Sequence, residues 1–314
     1  MLRIIADSTC DISKEDARKM GIQIVPISVR FGDEEFLDGV EITHEEFYTR
    51  LAECDELPKT SQPSPDAFMK VFNEAVADGD DVLGIFISSD LSGTYQSACL
   101  AALDVEEETG KKTEIKFLQL NLWVECTKVE HAPDSRSASI GTALLIREAV
   151  KLRDAGVNVS DIAAACTEMS KYIKLTAVVG SLKYLKMGGR LSGAAAFAGT
   201  MLHITPVVSI EDGKVVVIGK TRGKKAAEKL MHDKLTKDGL SLTRDFMFGH
   251  INCSESLETF INKSLTYISD VNGNVGVSSI GCSVGTHVGP GTYGIAYVEA
   301  AESGMNRESI VKTA

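Results

Sequence analysis

The sequence predicts an α/β protein of two domains, in which an N-terminal, doubly wound, mostly parallel sheet precedes a C-terminal α+β domain. The chain has 314 residues, which exceeds one average domain. Strand and helix patterns alternate up to about residue 169, whereas hairpins and helices mix after it. We therefore place the N-terminal domain at residues 1–169, the C-terminal domain at 170–298 and a tail at 299–314.

The elements of the first half follow from apolar, β-branched runs and from helix-capping residues. Thr43 and Glu46 match a capping box, and Ser64 precedes Pro65 as an N-cap does. Residues 31–40 are typical of a hairpin or an ordered loop. The predicted strands are 2–6, 22–29, 82–87 and 114–120, and the predicted helices are 13–20, 43–54, one from Pro65, 94–103, 139–155 and 159–171.

The second half combines strands and helices in a different order. Asp212-Gly213 indicates a tight turn between the strands of a hairpin. Gly and small residues predict a short helix at 193–199. The predicted strands are 202–210, 214–218, 246–252, 275–281 and 293–298, and the longer predicted helices are 221–236 and 254–268.

Composition excludes several classes of protein. The net charge of −11 argues against nucleic-acid binding, because no basic field is available to neutralise phosphates. No apolar run approaches the roughly 18 residues of an integral membrane segment. The N-terminus turns polar too soon for a signal peptide, so we expect a cytoplasmic protein. Seven scattered cysteines predict reduced thiols, and six widely spaced histidines predict no metal site.

A polar loop follows the predicted strand 82–87 and precedes a helix. Open α/β sheets bind ligands at the carboxyl ends of their strands, and a helix N-terminus favours an anion. Ser92 is therefore a candidate ligand for a carboxylate or a phosphate. The alternative is that Ser92 and Asp90 only cap the helix.

Three other segments carry candidate site residues. Thr60 and Ser61 lie in a loop stiffened by prolines, which is either a plain connector or a second set of polar ligands. His287 lies in a loop rich in glycine and proline, where it either orients or protonates an anionic ligand or serves a structural purpose. Arg190, after Gly188-Gly189, is either an anion or partner contact or a surface arginine.

The sequence lacks the motifs of several enzyme classes. We find no P-loop, no dinucleotide-binding Gly-x-Gly-x-x-Gly and no Gly-x-Ser-x-Gly element. No activating base stands beside Ser92 in the sequence, and such a serine is more often a ligand than a nucleophile. These observations favour binding over catalysis.

Taken in order, these motifs resemble the DegV family, the bacterial fatty-acid-binding proteins that include the FakB subunits of fatty-acid kinase. Each motif is weak alone, but together they run from Ile4 to about Tyr297 in the order of the family. The matching elements are Ile5-Ala6-Asp7-Ser8-Thr9, Val25-Pro26, Leu37-Asp38-Gly39, Thr60-Ser61-Gln62-Pro63-Ser64, Ser92-Gly93-Thr94-Tyr95, Asp134-Ser135, Tyr184-Leu185, Gly188-Gly189-Arg190, Pro206, Lys220-Thr221-Arg222-Gly223 and His287 with Gly289-Pro290-Gly291.

The resemblance implies a long-chain fatty acid, palmitate- or oleate-like, in a tunnel between two domains. Thr60 and Ser92 would bind its carboxylate, and His287 would belong to the same polar network. Candidate supporting contacts are Ser61, Gly93, Thr94 and Thr286. No cofactor and no metal are implied.

The resemblance also implies a partner. The family presents its fatty acid to a separate ATP-dependent fatty-acid kinase and carries away the acyl phosphate. Arg190 and Arg222 would then contact the kinase or the phosphate. We accordingly expect a lipid-binding protein without catalytic activity of its own.

Two other functions stay open at this point. One is a small-molecule phosphotransferase or esterase that uses Ser92 and His287, and the other is a DNA-linked regulator, which the net charge disfavours. The chain also departs from the family pattern, with an apparent insertion at 119–133 and the tail from residue 299.

Overall fold

The computed structural model describes residues 1–109, 115–118, 137–193, 204–241, 243–266, 268 and 273–300. Its strands, numbered in chain order, are β1 (Leu2–Asp7), β2 (Ile22–Val25), β3 (Ser28–Phe31), β4 (Glu34–Leu37), β5 (Lys59–Ser61), β6 (Asp81–Ile85), β7 (Ile115–Leu118), β8 (Ile173–Val178), β9 (Thr205–Glu211), β10 (Lys214–Thr221), β11 (Phe246–His250), β12 (Val275–Ser279) and β13 (Tyr293–Val298). Its helices are α1 (Lys14–Met20), α2 (His44–Glu53), α3 (Pro65–Asp78), α4 (Thr94–Thr109), α5 (Ile140–Asp154), α6 (Val159–Ser170), α7 (Lys183–Met187), α8 (Lys224–Asp238), α9 (Ser254–Ser264) and α10 (Cys282–Val288).

The N-terminal sheet is parallel, with strand order β2-β1-β6-β7. Successive side chains of the central strand β1 point to opposite faces. Ile4 lies in an apolar cluster with Leu144 of α5, whereas Ile5 lies in another cluster with Phe68 and Phe72 of α3. Helices therefore cover both faces, which confirms the predicted doubly wound arrangement.

The second large sheet is mixed, with strand order β10-β9-β8-β13-β11-β12. Strands β9 and β10 form the predicted hairpin. Its turn residues Asp212 and Gly213 have φ angles of 48° and 77°, the left-handed region that an Asp-Gly turn favours. Helix α8 contacts β8, β9 and β10. The predicted fold class, a parallel N-terminal sheet followed by an α+β part, is confirmed.

Helix α5 joins the two large sheets. It contacts β1 and β6 of the first sheet and β8, β11 and β13 of the second. Its Leu144 shares a cluster with Ile4 of β1 and with Met247 and Ala296 of the second sheet. The two sheets are therefore packed through a common helix, and the boundary at residues 169 and 170 stays a prediction.

One predicted strand was wrong. Residues 22–29 form two strands rather than one, because Pro26 has no N–H to donate to a ladder and interrupts the pairing. β2 belongs to the parallel sheet, whereas β3 pairs with β4 and β5 in a small antiparallel sheet. The hairpin expected at 31–40 is therefore formed by β3 and β4.

Two predicted loops are also regular structure. Residues 59–61 form the edge strand β5, in which Thr60 is paired with Val29. Residues 282–288 form helix α10, so that His287 lies in a helical turn and not in the glycine-rich loop that follows it. The predicted helix at 193–199 and the apparent insertion at 119–133 lie outside the described residues, apart from Gly193, as does most of the tail. None of the described helices is long and apolar enough to cross a membrane.

Candidate functional site

The centre of the candidate site is a hydrogen bond between Thr60 and His287. Thr60 Oγ1 lies 2.9 Å from Nε2 of His287, although 227 positions separate the two residues in the sequence. The small antiparallel sheet positions Thr60 on β5, and α10 positions His287 in its last turn. The pair is assembled only because α10 packs against β3 and β5.

Helix α10 is held at its first turn by an acid from the N-terminal half. The Asp38 carboxylate accepts the backbone N–H of Cys282 at 3.1 Å and that of Ser283 at 3.0 Å. A carboxylate at a helix N-terminus satisfies free N–H groups and opposes the helix dipole. Gly289, with a φ of 77°, ends the helix two residues after His287.

His287 is neutral over the physiological pH range. Burial, together with the positive charge of Arg190, lowers its pKa from 6.5 to about 4. Its Nδ1 has no hydrogen-bond partner among the described residues. A Cβ at Gly188 would lie only 2.3 Å from that Nδ1, so the imidazole needs a glycine there.

Arg190 bonds to the loop of Ser92 and lies close enough to His287 to affect its pKa. Its Nε donates to the carbonyl of Leu91 at 3.1 Å, and its Nη1 donates to that of Gly188 at 2.7 Å. The guanidinium therefore lies inside the site rather than on an open surface. It supplies a fixed positive charge, which hydroxyls and a neutral imidazole do not.

The loop of Ser92 both caps helix α4 and faces the site. Ser92 Oγ lies 2.8 Å from Thr94 Oγ1 and accepts the backbone N–H of Thr94 at 3.3 Å. Gly93 lets the loop approach the segment after β5, since a Cβ there would lie 2.0 Å from Oε1 of Gln62. The two interpretations of Ser92, cap and ligand, are therefore compatible.

These residues line two cavities of different character that share part of their lining. The first is polar and the second is almost entirely apolar, and both are lined by Ile87, Leu91, Arg190, Val284 and His287. The other polar-cavity residues are Thr9, Ile27, Thr60, Ser61, Gln62, Ser92, Gly93 and Ser283. The other apolar-cavity residues are Ala138, Ser139, Ile140, Leu175, Ala177, Val179, Leu185, Val208, Ile210, Val215, Ile280, Val288, Thr292 and Gly294.

A site of this form suits an amphipathic ligand. Hydroxyls and a guanidinium suit an anionic head, and an apolar cavity lined by the second sheet and by the segment after β6 suits a hydrocarbon tail. Nucleophilic catalysis is not supported by the geometry. Ser92 bonds to Thr94 while His287 bonds to Thr60, so serine and histidine are not joined as nucleophile and base.

The structure brings together most of the predicted site residues. Thr60, Ser61, Ser92, Gly93, Arg190 and His287 line the polar cavity, and Thr94 bonds to Ser92. Thr286 does not line either cavity, and its hydroxyl donates to the carbonyl of Cys282 at 2.9 Å. Arg222 is exposed after β10 and lines neither cavity.

Sequence reasoning assigned no individual role to three polar residues of the site. Thr9, Gln62 and Ser283 also line the polar cavity. A signal for Thr9 was present, because Asp7-Ser8-Thr9 follows β1 at the same edge of the sheet as the loop of Ser92. Ser283 gave no such signal, since it follows no parallel strand of that sheet.

The chain is similar to known proteins over nearly its whole length. The family model described as an uncharacterised protein, DegV family, matches residues 1–300. A DegV domain-containing protein of Clostridium perfringens is 33% identical over 307 residues, covering 95% of this chain and 98% of the relative.

Two solved structures are similar over nearly the whole chain. A DegV family protein from Thermus thermophilus, described for its fatty acid binding, has a TM-score of 0.80 and 29% identity, covering 95% of this chain and 99% of that one. A stearic acid-binding protein from Eubacterium ventriosum has a TM-score of 0.81 and 28% identity, covering 96% of this chain and 100% of that one.

Proposed function

The chain belongs to the DegV family, and we propose that it binds one long-chain fatty acid, palmitate- or oleate-like, between its two halves. The observation that carries the proposal is the pair of cavities, one polar and one apolar, whose linings share Arg190 and His287. The carboxylate occupies the polar cavity and the hydrocarbon chain occupies the apolar one. The solved relatives from T. thermophilus and E. ventriosum, which bind fatty acids, support this assignment.

The polar cavity can offset the cost of burying a carboxylate. A buried carboxylate needs about two or three hydrogen bonds to replace its hydration. The hydroxyls of Thr60 and Ser92 and the guanidinium of Arg190 supply donors at one place. Each methylene group that enters the apolar cavity contributes up to about 0.8 kcal/mol.

The proposed function also includes delivery of the bound fatty acid to a kinase. In the cytoplasm, the loaded protein presents its carboxylate to a separate ATP-dependent kinase and carries the acyl phosphate formed there. The resemblance to the fatty-acid kinase subunits supports this role, and so does the exposure of Ser61 and Gln62 at the polar cavity. Arg222, which is exposed and outside both cavities, is then a kinase contact rather than a head-group ligand.

Lipid binding is tested by native mass spectrometry of the purified chain. We expect a bound species of fatty-acid mass, one per chain, that organic extraction removes and added palmitate or oleate restores. A delipidated, folded chain that takes up neither acid would contradict the proposal. The kinase role is tested separately, by adding a fatty-acid kinase and ATP to the loaded chain and detecting acyl phosphate.

A further inference from the structure

A second group of polar side chains lies at the first turn of α10, where the N-terminal half contacts this helix. Asp38 follows β4, His44 begins α2 and Cys282 begins α10. One donor atom from each of the three side chains lies within 4.8 Å of the other two. The three residues are distinct from the Thr60–His287 pair.

The spacing is close to that of a metal site. A tetrahedral Zn²⁺ with bonds of 2.0–2.3 Å holds its ligand atoms about 3.3–3.6 Å apart. Donor atoms within 4.8 Å of one another therefore need to move by only about 1 Å to share one ion. An oxygen, an imidazole nitrogen and a thiolate are a donor set that Zn²⁺ accepts.

Gly281 shows that these donors face one small volume. A Cβ built on Gly281 would lie 3.1 Å from Asp11 Oδ1, 3.2 Å from His44 Nε2 and 3.4 Å from Asp38 Oδ1. These atoms converge from three separate segments of the chain. Because residue 281 has no side chain, their common space is not filled by the protein.

Neighbouring groups orient two of the donors. His44 Nδ1 lies 3.4 Å from Ser279 Oγ on one side of the ring, and its Nε2 lies beside Gly281, where Asp11 and Asp38 also place a carboxylate oxygen. Asp38 is fixed by the N–H groups of α10. Metal-binding histidines and carboxylates are commonly positioned by such outer hydrogen bonds.

Three acids of this region are buried. Asp7, Asp11 and Asp38 are only 1%, 6% and 4% exposed. Within the parts of the chain that the structure describes, none of the three forms an ion pair with a lysine or an arginine. An ion bound at Asp38 would therefore displace no such ion pair of these three acids.

Solvent has a route to the cluster. A groove on the surface is lined by Ser8, Asp11, Asp38, His44 and Ser278, among other residues. Cys282 lies behind them and is fully buried. An ion that entered from this groove would meet the carboxylates and the imidazole first and the thiol last.

We propose that Asp38, His44 and Cys282 form a Zn²⁺ site that fastens α10 to the N-terminal half. The Cys282 thiol releases its proton to solvent when its sulfur binds the ion. The sequence predicted no metal site because it contains no compact metal motif. Ligands at positions 38, 44 and 282 are too far apart in the chain to form such a motif. None of the three ligands lines either of the two cavities, so the proposed Zn²⁺ site does not depend on lipid binding.

The test uses the full chain without a histidine tag, stripped of metal and titrated with Zn²⁺ against a chelating indicator. We expect one Zn²⁺ per chain and a loss of affinity of at least tenfold in His44→Ala and in Cys282→Ser. His250→Ala is the matched control, because Nδ1 of His250 accepts the backbone N–H of Cys253 at 3.4 Å and His250 is outside this cluster. The control should bind Zn²⁺ as the unaltered chain does.

Cobalt substitution identifies the sulfur ligand. Co²⁺ in the site should give a thiolate charge-transfer band in the near ultraviolet that Cys282→Ser lacks. Circular dichroism establishes that both variants are folded. The proposal is overturned if the unaltered chain binds no Zn²⁺, if Co²⁺ gives no thiolate band, or if folded His44→Ala retains full affinity.

Discussion

The Thr60 hydroxyl and Nε2 of His287 lie 2.9 Å apart and come from opposite ends of the chain. Thr60 belongs to a small sheet in the first quarter of the sequence, and His287 belongs to a helix near its end. The polar end of the candidate site therefore forms only when the two ends of the chain pack together in the fold.

Loss of both head-group hydroxyls should weaken fatty-acid binding. Thr60→Val with Ser92→Ala removes two donors, and a hydrogen bond to a charged group contributes about 1.5–3 kcal/mol. We expect the dissociation constant for palmitate, measured by displacement of a fluorescent fatty acid, to rise at least about tenfold. Thr259→Val is the control, because the hydroxyl of Thr259 bonds only within the exposed side of α9. Equal affinity in the double variant would refute the assignment.

The buried imidazole should make stability fall as the pH falls. The pKa of His287 is about 4 in the folded protein and near 6.5 when the chain is unfolded. The unfolded chain therefore binds more protons between these values, so this contribution is complete above about pH 6.5 and is lost towards pH 4. At most about 3 kcal/mol is involved. Urea unfolding from pH 4 to 7 should show a shallower decline in His287→Asn, and parallel curves would contradict the prediction.

The charge of Arg190 should be visible in the titration of His287. The guanidinium disfavours the imidazolium, so Arg190→Met should raise the pKa of His287 above its value of about 4. NMR titration of the His287 ring protons measures this shift. Arg222→Met removes an exposed arginine outside both cavities and should leave the titration unchanged. An unaltered pKa in Arg190→Met would show that the charge does not reach the ring.

A methyl group at residue 188 should displace the histidine. Gly188→Ala places a Cβ within 2.3 Å of Nδ1 of His287, which forces the ring or the backbone to move. We expect fatty-acid affinity to fall while far-ultraviolet circular dichroism is retained. Gly189→Asn is the comparison, because Gly189 has a φ of 69°, which asparagine tolerates, and a Cβ there meets nothing within 4 Å. Full affinity in folded Gly188→Ala would show that the ring position is unimportant.

Filling the apolar cavity should discriminate by chain length. Ala177 lies on β8 and lines that cavity. Ala177→Leu adds three carbons to it, so we expect stearate to bind more weakly while octanoate binds as before. Octanoate serves as the internal control for an intact head-group site. Equal weakening of both acids would place the effect on the fold rather than on the cavity.

Local sequence signals predicted most of the secondary structure and part of the site. The strand–loop–helix pattern around Ser92 and the turn at Asp212-Gly213 depend on neighbouring residues, and both were identified correctly. The edge strand at Thr60 was missed because its partner, Val29, is 31 positions away in the sequence. Pairing over that distance leaves no periodic pattern in three residues.

The helix at His287 was missed for a different reason. Its sequence contains Gly285 and is followed by Gly289 and Gly291, which favour a loop locally. The carboxylate of Asp38 caps its first turn from far away in the chain, and no local signal contains that contact. The position of Arg190 could not be predicted either, since it depends on the carbonyl of Leu91.

The division of the head-group site between the two ends of the chain has a practical consequence. A fragment that ends within α6 carries Thr60 and Ser92, and the remainder carries Arg190 and His287. Under the proposed function, the tail of the lipid would contact residues of both fragments. The proposed function therefore suggests a split biosensor, in which added fatty acid would drive the two fragments to reassemble.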